Sequence, residues 1–207
     1  SDPCGLTSLA IDIDTFDCSN VGPNNVTLTA TDIYGNTSTC VAVVTVEDVT
    51  APVAICQSIT VQLDATGTVT IDPANLDGGS ADACGIDVAG YSVTIDTFDC
   101  SHVGDNPVVL TVTDVNGNTT SCNAIVTIED TTAPELVCQD ISVQLDENGV
   151  AIITAEDVIA SNTDACGTTT TSVDTSSFSC TDIGSPVTIT VFSEDINGNI
   201  SSCTATV

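Results

Sequence analysis

The sequence predicts an all-β chain: tandem β-sandwich repeats of about 82 residues, stapled by disulfides and strung into an elongated rod. Three observations predict it. Cysteines and their flanking residues recur at a fixed shift along the chain. Threonine, valine and isoleucine alternate with period two between turn residues, the pattern of half-buried antiparallel strands. Eleven cysteines accompany no methionine and no tryptophan, the usage of a disulfide framework in an oxidising compartment.

The repetition is direct. Cys18, Cys40 and Cys56 return as Cys100, Cys122 and Cys138, each shifted by 82 residues, and Cys84 returns as Cys166. "IDTFDCSNVG" becomes "IDTFDCSHVG" and then "SSFSCTDIG"; "VTVEDVTAPVAICQSITVQLD" becomes "VTIEDTTAPELVCQDISVQLD"; "ADACG" becomes "TDACG". One complete repeat therefore covers residues 50–131. Residues 1–49 carry the C-terminal part of another, and residues 132–207 carry a third that lacks its last residues. Because Ser1 falls inside a repeat, the chain reads as a piece of something longer.

Within the complete repeat, "SITVQLD" alternates, "ATG" turns, "TVTID" follows, and "PANLDGGSADACG" is a turn-rich loop. "VAGYSVTID" is extended, and "PVVLTVTD" leads through "VNGN" into "TTSCNAIVTIED". Short strands with turns every eight to twelve residues or so indicate a sandwich. A core this small and without tryptophan needs support, which two disulfides per repeat supply. The only helical expectation is a single turn in "TAEDVIAS".

Composition excludes several functions. The 29 acids face no lysine or arginine, for a net charge of −29. Nucleic-acid binding draws on cationic side chains to displace counterions, and an anionic membrane surface would repel this chain. No apolar run is long enough to span a bilayer, so no direct membrane insertion is expected. Charged residues make up only 14% of the chain and hydrophobic ones 42%, which is not the signature of disorder. Zinc is a poor account of the cysteines, because zinc sites use close pairs and the nearest cysteines here are 14 residues apart.

Taken together, "DTTAPELVCQDISVQLDENG", "DACG", the Phe-x-Cys before "VG", and "TVTDVNGNTTSC" resemble the hyalin-repeat (HYR) family, and within it a four-cysteine, HYR-like bacterial branch. The resemblance spans essentially the whole chain. It implies an immunoglobulin-like fold, in agreement with the strand pattern. It also implies a role in adhesion and display rather than catalysis. Members of that branch are tandem modules of very large secreted surface proteins of Bacteroidota, the gliding-motility adhesin exported by type IX secretion among them. The expectation is therefore a non-enzymatic stalk of a cell-surface adhesin, extracellular and associated with the outer membrane, with neighbouring repeats of the same long chain as its partners. Two alternatives stand beside it: an adhesive module that binds a glycan or another extracellular surface, and accessory repeats beside an extracellular enzyme domain.

In such a fold the "DVNGN" loop, the "GGSADACG" loop and the incoming linker "VEDVTAP" share one end of the sandwich. This gathers Glu47, Asp48, Asp82, Asp114, Asn116 and Asn118 at one junction, and Glu129, Asp130, Asp164, Asp195, Asn197 and Asn199 at the next, all but Asn118 and Asn199 as candidate metal ligands. Clustered carboxylates without a cationic side chain favour a hard divalent ion, so Ca2+ is the candidate cofactor. The competing reading is a plain turn: Asn-Gly is the best short hairpin signal, and Asp114 has backbone N–H groups to accept. Tyr34 replaces Asn116 in the first copy, so a side-chain ligand at that position is dispensable.

Four cysteines permit three connectivities. Cys56 and Cys122 fall on the first and last strands at the same end, which predicts Cys56–Cys122 and, by the repeat, Cys138–Cys203. Elimination then predicts Cys84–Cys100, Cys166–Cys180 and Cys4–Cys18, with Cys40 left without an upstream partner. His102, the one histidine, aligns with Asn20 and Asp182 and reads as a solvated turn residue rather than a base. Asp12 and Asp14 share one strand face, where solvation explains them better than glycoside hydrolysis does.

Overall fold

In a computed structural model, which describes residues 3–207, the chain is all-β: sixteen strands and short 3-10 turns, with no α-helix among the described residues. The first part is a three-stranded antiparallel sheet of β1 (Leu6–Ile11), β2 (Gly22–Asp32) and β3 (Thr37–Val46), with β2 in the middle. The complete repeat holds β4 (Ile59–Gln62), β5 (Thr68–Thr70), β6 (Ser92–Val93), β7 (Thr97–Asp99), β8 (Gly104–Thr113) and β9 (Thr119–Glu129). Its larger sheet has the order β4-β9-β8-β6, and β5 pairs with β7 in a second sheet. The first strand adds parallel to the last, Ile59 beside Val126 through Gln62 beside Glu129, while β6 pairs antiparallel with β8. This is an immunoglobulin-like sandwich.

Period two explains why these segments are strands. Val108, Leu110 and Val112 on β8, and Ala124, Val126 and Ile128 on β9, are buried, while the residues between them are half-buried or exposed. β-branched residues fit such a pleated, one-sided surface.

The third repeat contains β10 (Glu135–Cys138), β11 (Val150–Ile152), β12 (Ile159–Thr163), β13 (Thr168–Val173), β14 (Ser177–Ser179), β15 (Thr188–Asp195) and β16 (Ile200–Thr206). β13, β15 and β16 form one antiparallel sheet; β10 pairs with β12, and β11 with β14. Its core is Ala151, Ile153, Ala155, Val158, Phe178, Ile189, Val191 and Ala205. The "TAEDVIAS" stretch opens with one 3-10 turn, Ala155–Val158, and then becomes strand β12. The Asp157 carboxylate holds that turn by accepting the Thr154 N–H and hydroxyl at 2.7 and 2.9 Å.

Two compact units emerge from the folded chain, and neither coincides with a sequence repeat. The first comprises the segment ending at Cys56 together with Asp77–Val93 and Val109–Cys122; the second comprises Gln57–Leu76, Thr94–Val108 and Asn123–Val207. Each unit thus combines parts of consecutive repeats. The linker, the Asp-Ala-Cys-Gly loop and the Asp-x-x-Gly-Asn turn of the complete repeat all belong to the first unit. Their counterparts in the third repeat all belong to the second.

Candidate functional site

The "DVNGN" turn is built around one carboxylate. Asp114 Oδ1 accepts the backbone N–H groups of Asn116 and Asn118 at 2.9 and 2.8 Å, and Oδ2 accepts the Asn118 amide at 2.8 Å. Asp195 does the same with Asn197 and Asn199. Asp114 and Asp195 are almost fully buried. Burial pushes their carboxyls up, but the Asn118 and Asn199 amides and the loop N–H groups outweigh it and hold both below the ordinary aspartate value. Gly117 alone in the turn takes positive φ, at 91°, and no non-glycine residue among the described ones does so. Asn116 keeps an ordinary backbone conformation, with its N–H donated to Asp114 Oδ1. The loop is the three-residue form with glycine in the left-handed position.

The same asparagine ties the turn to the linker. The Asn118 amide also donates to the Asp48 carbonyl at 3.1 Å, and Asn199 donates to the Asp130 carbonyl at 3.1 Å. The sequence places the turn and linker at one end and gathers Asn118 and Asn199 there, though not among the ten expected ligands; their part is to join turn to linker, and an asparagine, Asn36, Asn118 or Asn199, closes every copy of the motif.

Beside this clamp lies a pair of carboxylates. Ligand atoms of Asp48, Asp82 and Cys84 lie within 4.8 Å of one another, as do those of Asp130, Asp164 and Cys166. Asp82 Oδ1 accepts the Cys84 N–H at 2.7 Å, and Asp164 Oδ1 accepts the Cys166 N–H at 2.7 Å, so the cysteine turn aims each acid at the linker. Asp48 and Asp130 each spend Oδ1 on the N–H two residues on. Their Oδ2 atoms are buried without a hydrogen-bond partner. Two ionised carboxylates at such a distance repel by roughly 3 kcal/mol at an effective dielectric of about 20, and no Lys or Arg exists to relieve it. A hard cation fits that orphaned oxygen. The sulfurs do not belong to its shell, because Cys84 and Cys166 are in disulfides.

Of the ten expected ligands, the structure brings together Asp48 with Asp82 and Asp130 with Asp164. Asp114 and Asp195 are committed to their turns. Glu47, Glu129, Asn116 and Asn197 are exposed. Extended backbone sends adjacent side chains to opposite sides, which is why Glu129 faces solvent while Asp130 is buried.

The disulfides correct the expected pairing. Cys56–Cys122 and Cys138–Cys203 close loops within a repeat. The others join consecutive repeats: Cys18 to Cys84 and Cys100 to Cys166. Pairing Cys84 with Cys100, Cys166 with Cys180, and Cys4 with Cys18 is thereby overturned. Cys84 lies in the first compact unit and Cys100 in the second, so elimination within one repeat matched sulfurs from different units. A sequence signal existed: three bridges span 66 residues and the fourth 65. Cys40 and Cys180 are exposed thiols.

A local device presents the bridging cysteine. Cys18, Cys100 and Cys180 each begin a 3-10 turn, Cys18–Asn20, Cys100–His102 and Cys180–Asp182, capped by Asp17, Asp99 and Ser179. Asn20, His102 and Asp182 each accept the capping residue's N–H in return. His102 also meets Asp99 Oδ1 at 2.8 Å and sets its ring edge-on to Phe98. Three different residue types doing one capping job mark a structural position.

No family model matches the chain. No curated protein sequence matches it either. Among solved structures it is similar to the extracellular domain of protocadherin gamma B4 (14% identity, 98% of this chain, 43% of that one, TM-score 0.37). It is similar also to a Ca2+-stabilized adhesin with which an Antarctic bacterium binds ice (16% identity, 88% and 55%, TM-score 0.25). A third likeness is to the fibronectin(III)-like modules of Clostridium thermocellum CbhA (12% identity, 96% and 92%, TM-score 0.24). The chain spans 66% of a four-domain protocadherin gamma B7 fragment and 45% of the human desmocollin-1 ectodomain.

Proposed function

We propose that this chain is a structural stretch of an extracellular adhesion protein, in which consecutive repeats are joined covalently and their junctions are tightened by a divalent cation. The overlap of the disulfide loops carries this reading. Loops 18–84, 56–122, 100–166 and 138–203 each overlap the next, so every backbone bond between Cys18 and Cys203 lies inside at least one of them. One backbone cut anywhere in that span leaves the chain in one piece. The two shortest covalent routes from Cys18 to Cys203 run through the bridges. One crosses residues 84–100 and 166–138, the other 84–56 and 122–138; each uses spans of 16 and 28 residues, 44 in place of the backbone's 185. Such a doubled tether suits a protein that holds a surface under force. It also belongs in an oxidising, extracellular setting. Ca2+ would be held by Asp48 with Asp82, and by Asp130 with Asp164, with water completing its shell. The motif resemblance extends the proposal to a large secreted surface adhesin of the gliding-motility kind.

Single-molecule pulling between Cys18 and Cys203 tests the tether. Fully stretched, the oxidised span reaches about 175 Å, from 44 residues at roughly 3.6 Å each and three bridges of about 5–6 Å, and reductant raises this to about 670 Å. Extension to the longer value without reductant would sink the reading. Melting with Ca2+ against a chelator tests the cation. Ca2+ is expected to raise the transition by mass action, by less in Asp130→Asn; identical curves for the unaltered chain remove the cation from the proposal.

A further inference from the structure

Cys180 occupies the position that Cys18 and Cys100 occupy, and both of those are bonded to the cysteine of an Asp-Ala-Cys-Gly segment in the following repeat. Its surroundings repeat in detail. The Cys100 sulfur contacts the Gly67 carbonyl at 3.7 Å and the Cys180 sulfur contacts the Gly149 carbonyl at 3.9 Å. A Cβ on Gly67 would lie 2.8 Å from the Cys100 sulfur, and one on Gly149 would lie 2.9 Å from the Cys180 sulfur. Glycine is thus required at both turns, for the close approach as well as for positive φ. The platform that receives Ala165 and Cys166 at Gly67 and Cys100 is present, complete, at Gly149 and Cys180.

The structure assigns Cys180, on its Gly149 turn, as the docking site of a further repeat of the same kind, whose Asp-Ala-Cys-Gly cysteine bonds to it as Cys84 bonds to Cys18 and Cys166 to Cys100. Bond formation removes two electrons and two protons from two thiols. A disulfide oxidant takes them up and leaves as two thiols. The inference rests on the covalent ladder proposed above and continues it by one bridge.

Two measurements test it. In the first, the chain is followed directly after Val207 by a second copy of residues 127–207. Peptide mapping is expected to find Cys180 bonded to the copied Cys166 and closed to iodoacetamide, while the copied Cys180 still alkylates. Equal alkylation of Cys180 with and without the appended copy, with the copied Cys138–Cys203 bridge formed, overturns the inference. The second uses the unextended chain and does not depend on the copy folding. A peptide of the sequence of residues 162–168, activated as a thiopyridyl disulfide, is attacked by the Cys180 thiolate with release of pyridine-2-thione. This exchange is expected to be severalfold faster than with a scrambled peptide, and Cys40 is expected to show no preference. Equal rates at Cys180 overturn the docking site. If mapping instead finds Cys18–Cys84 and Cys100–Cys166 absent, the ladder itself fails; if they are present and Cys180 is indifferent, only the docking inference fails.

Discussion

The hairpins β2–β3 and β8–β9 have nearly the same sequence pattern and the same turn, yet one is half-dry and the other is a core. Val108, Leu110 and Val112 are at most 1% exposed. Their counterparts in the first hairpin, 82 residues earlier, are Val26, Leu28 and Ala30, of which only Val26 is buried. Ala124 is buried where Ala42 is exposed, and Cys122 is bridged to Cys56 where Cys40 is an exposed thiol. Strands β4, β5, β6 and β7 precede the second hairpin within its repeat, whereas among the described residues only β1 pairs with the first. Hairpin geometry is local: Asp32 accepts the Tyr34 and Asn36 N–H groups just as Asp114 accepts those of Asn116 and Asn118. Burial is not local, and needs the other half of the sandwich.

That comparison is open to direct attack. Leu110→Ala is expected to cost about 2–5 kcal/mol, the usual price of emptying a core leucine site, whereas Leu28→Ala costs under about 1.5 kcal/mol because its site is already part-solvated. Urea unfolding of the two variants measures it, and equal losses would mean the first hairpin is covered in solution. A smaller effect separates the turns. Asn118→Ala removes the bonds to Asp114 and to the linker carbonyl of Asp48, for a loss of about 1–2 kcal/mol. Asn36→Ala removes only the bond to Asp32 and is expected to fall below half of that. Equal losses would show that the tie to the linker contributes nothing.

The acid response should be subtler still. The Asn36 amide holds the Asp32 carboxyl below its ordinary value, and the Asn118 amide and loop N–H groups do so for Asp114 against its burial. A depressed folded value means that the stabilisation is fully present above the unfolded aspartate value near about 4, and is lost as pH falls through the folded one. Asp114→Asn is therefore expected to flatten the fall of the urea midpoint below about pH 4, and Asp32→Asn to flatten it less. Unchanged acid slopes in both would disconnect these turns from acid unfolding.

The bonding of the turns was partly legible from "DIYGN", "DVNGN" and "DINGN", because an Asx turn needs only residues within five positions of one another. The candidate cation site was legible in its residue types but not in its membership. The expected topology brings twelve residues to two junctions; which carboxylates meet depends on the side each faces, and Glu47 and Glu129 face outward while the Asp-x-Cys turn brings in Asp82 and Asp164.

By itself the sequence determined the strands, their period, the repeat and the abundance of disulfides, since each of these is written in neighbouring residues or in a fixed shift between copies. Only the tertiary structure decided the compact units and the bridges between repeats. A sulfur bonds whichever sulfur lies near it in space, and Cys18 and Cys84, 66 residues and one repeat apart, are brought to a Cα separation of 5.1 Å by a fold in which each compact unit draws on two repeats.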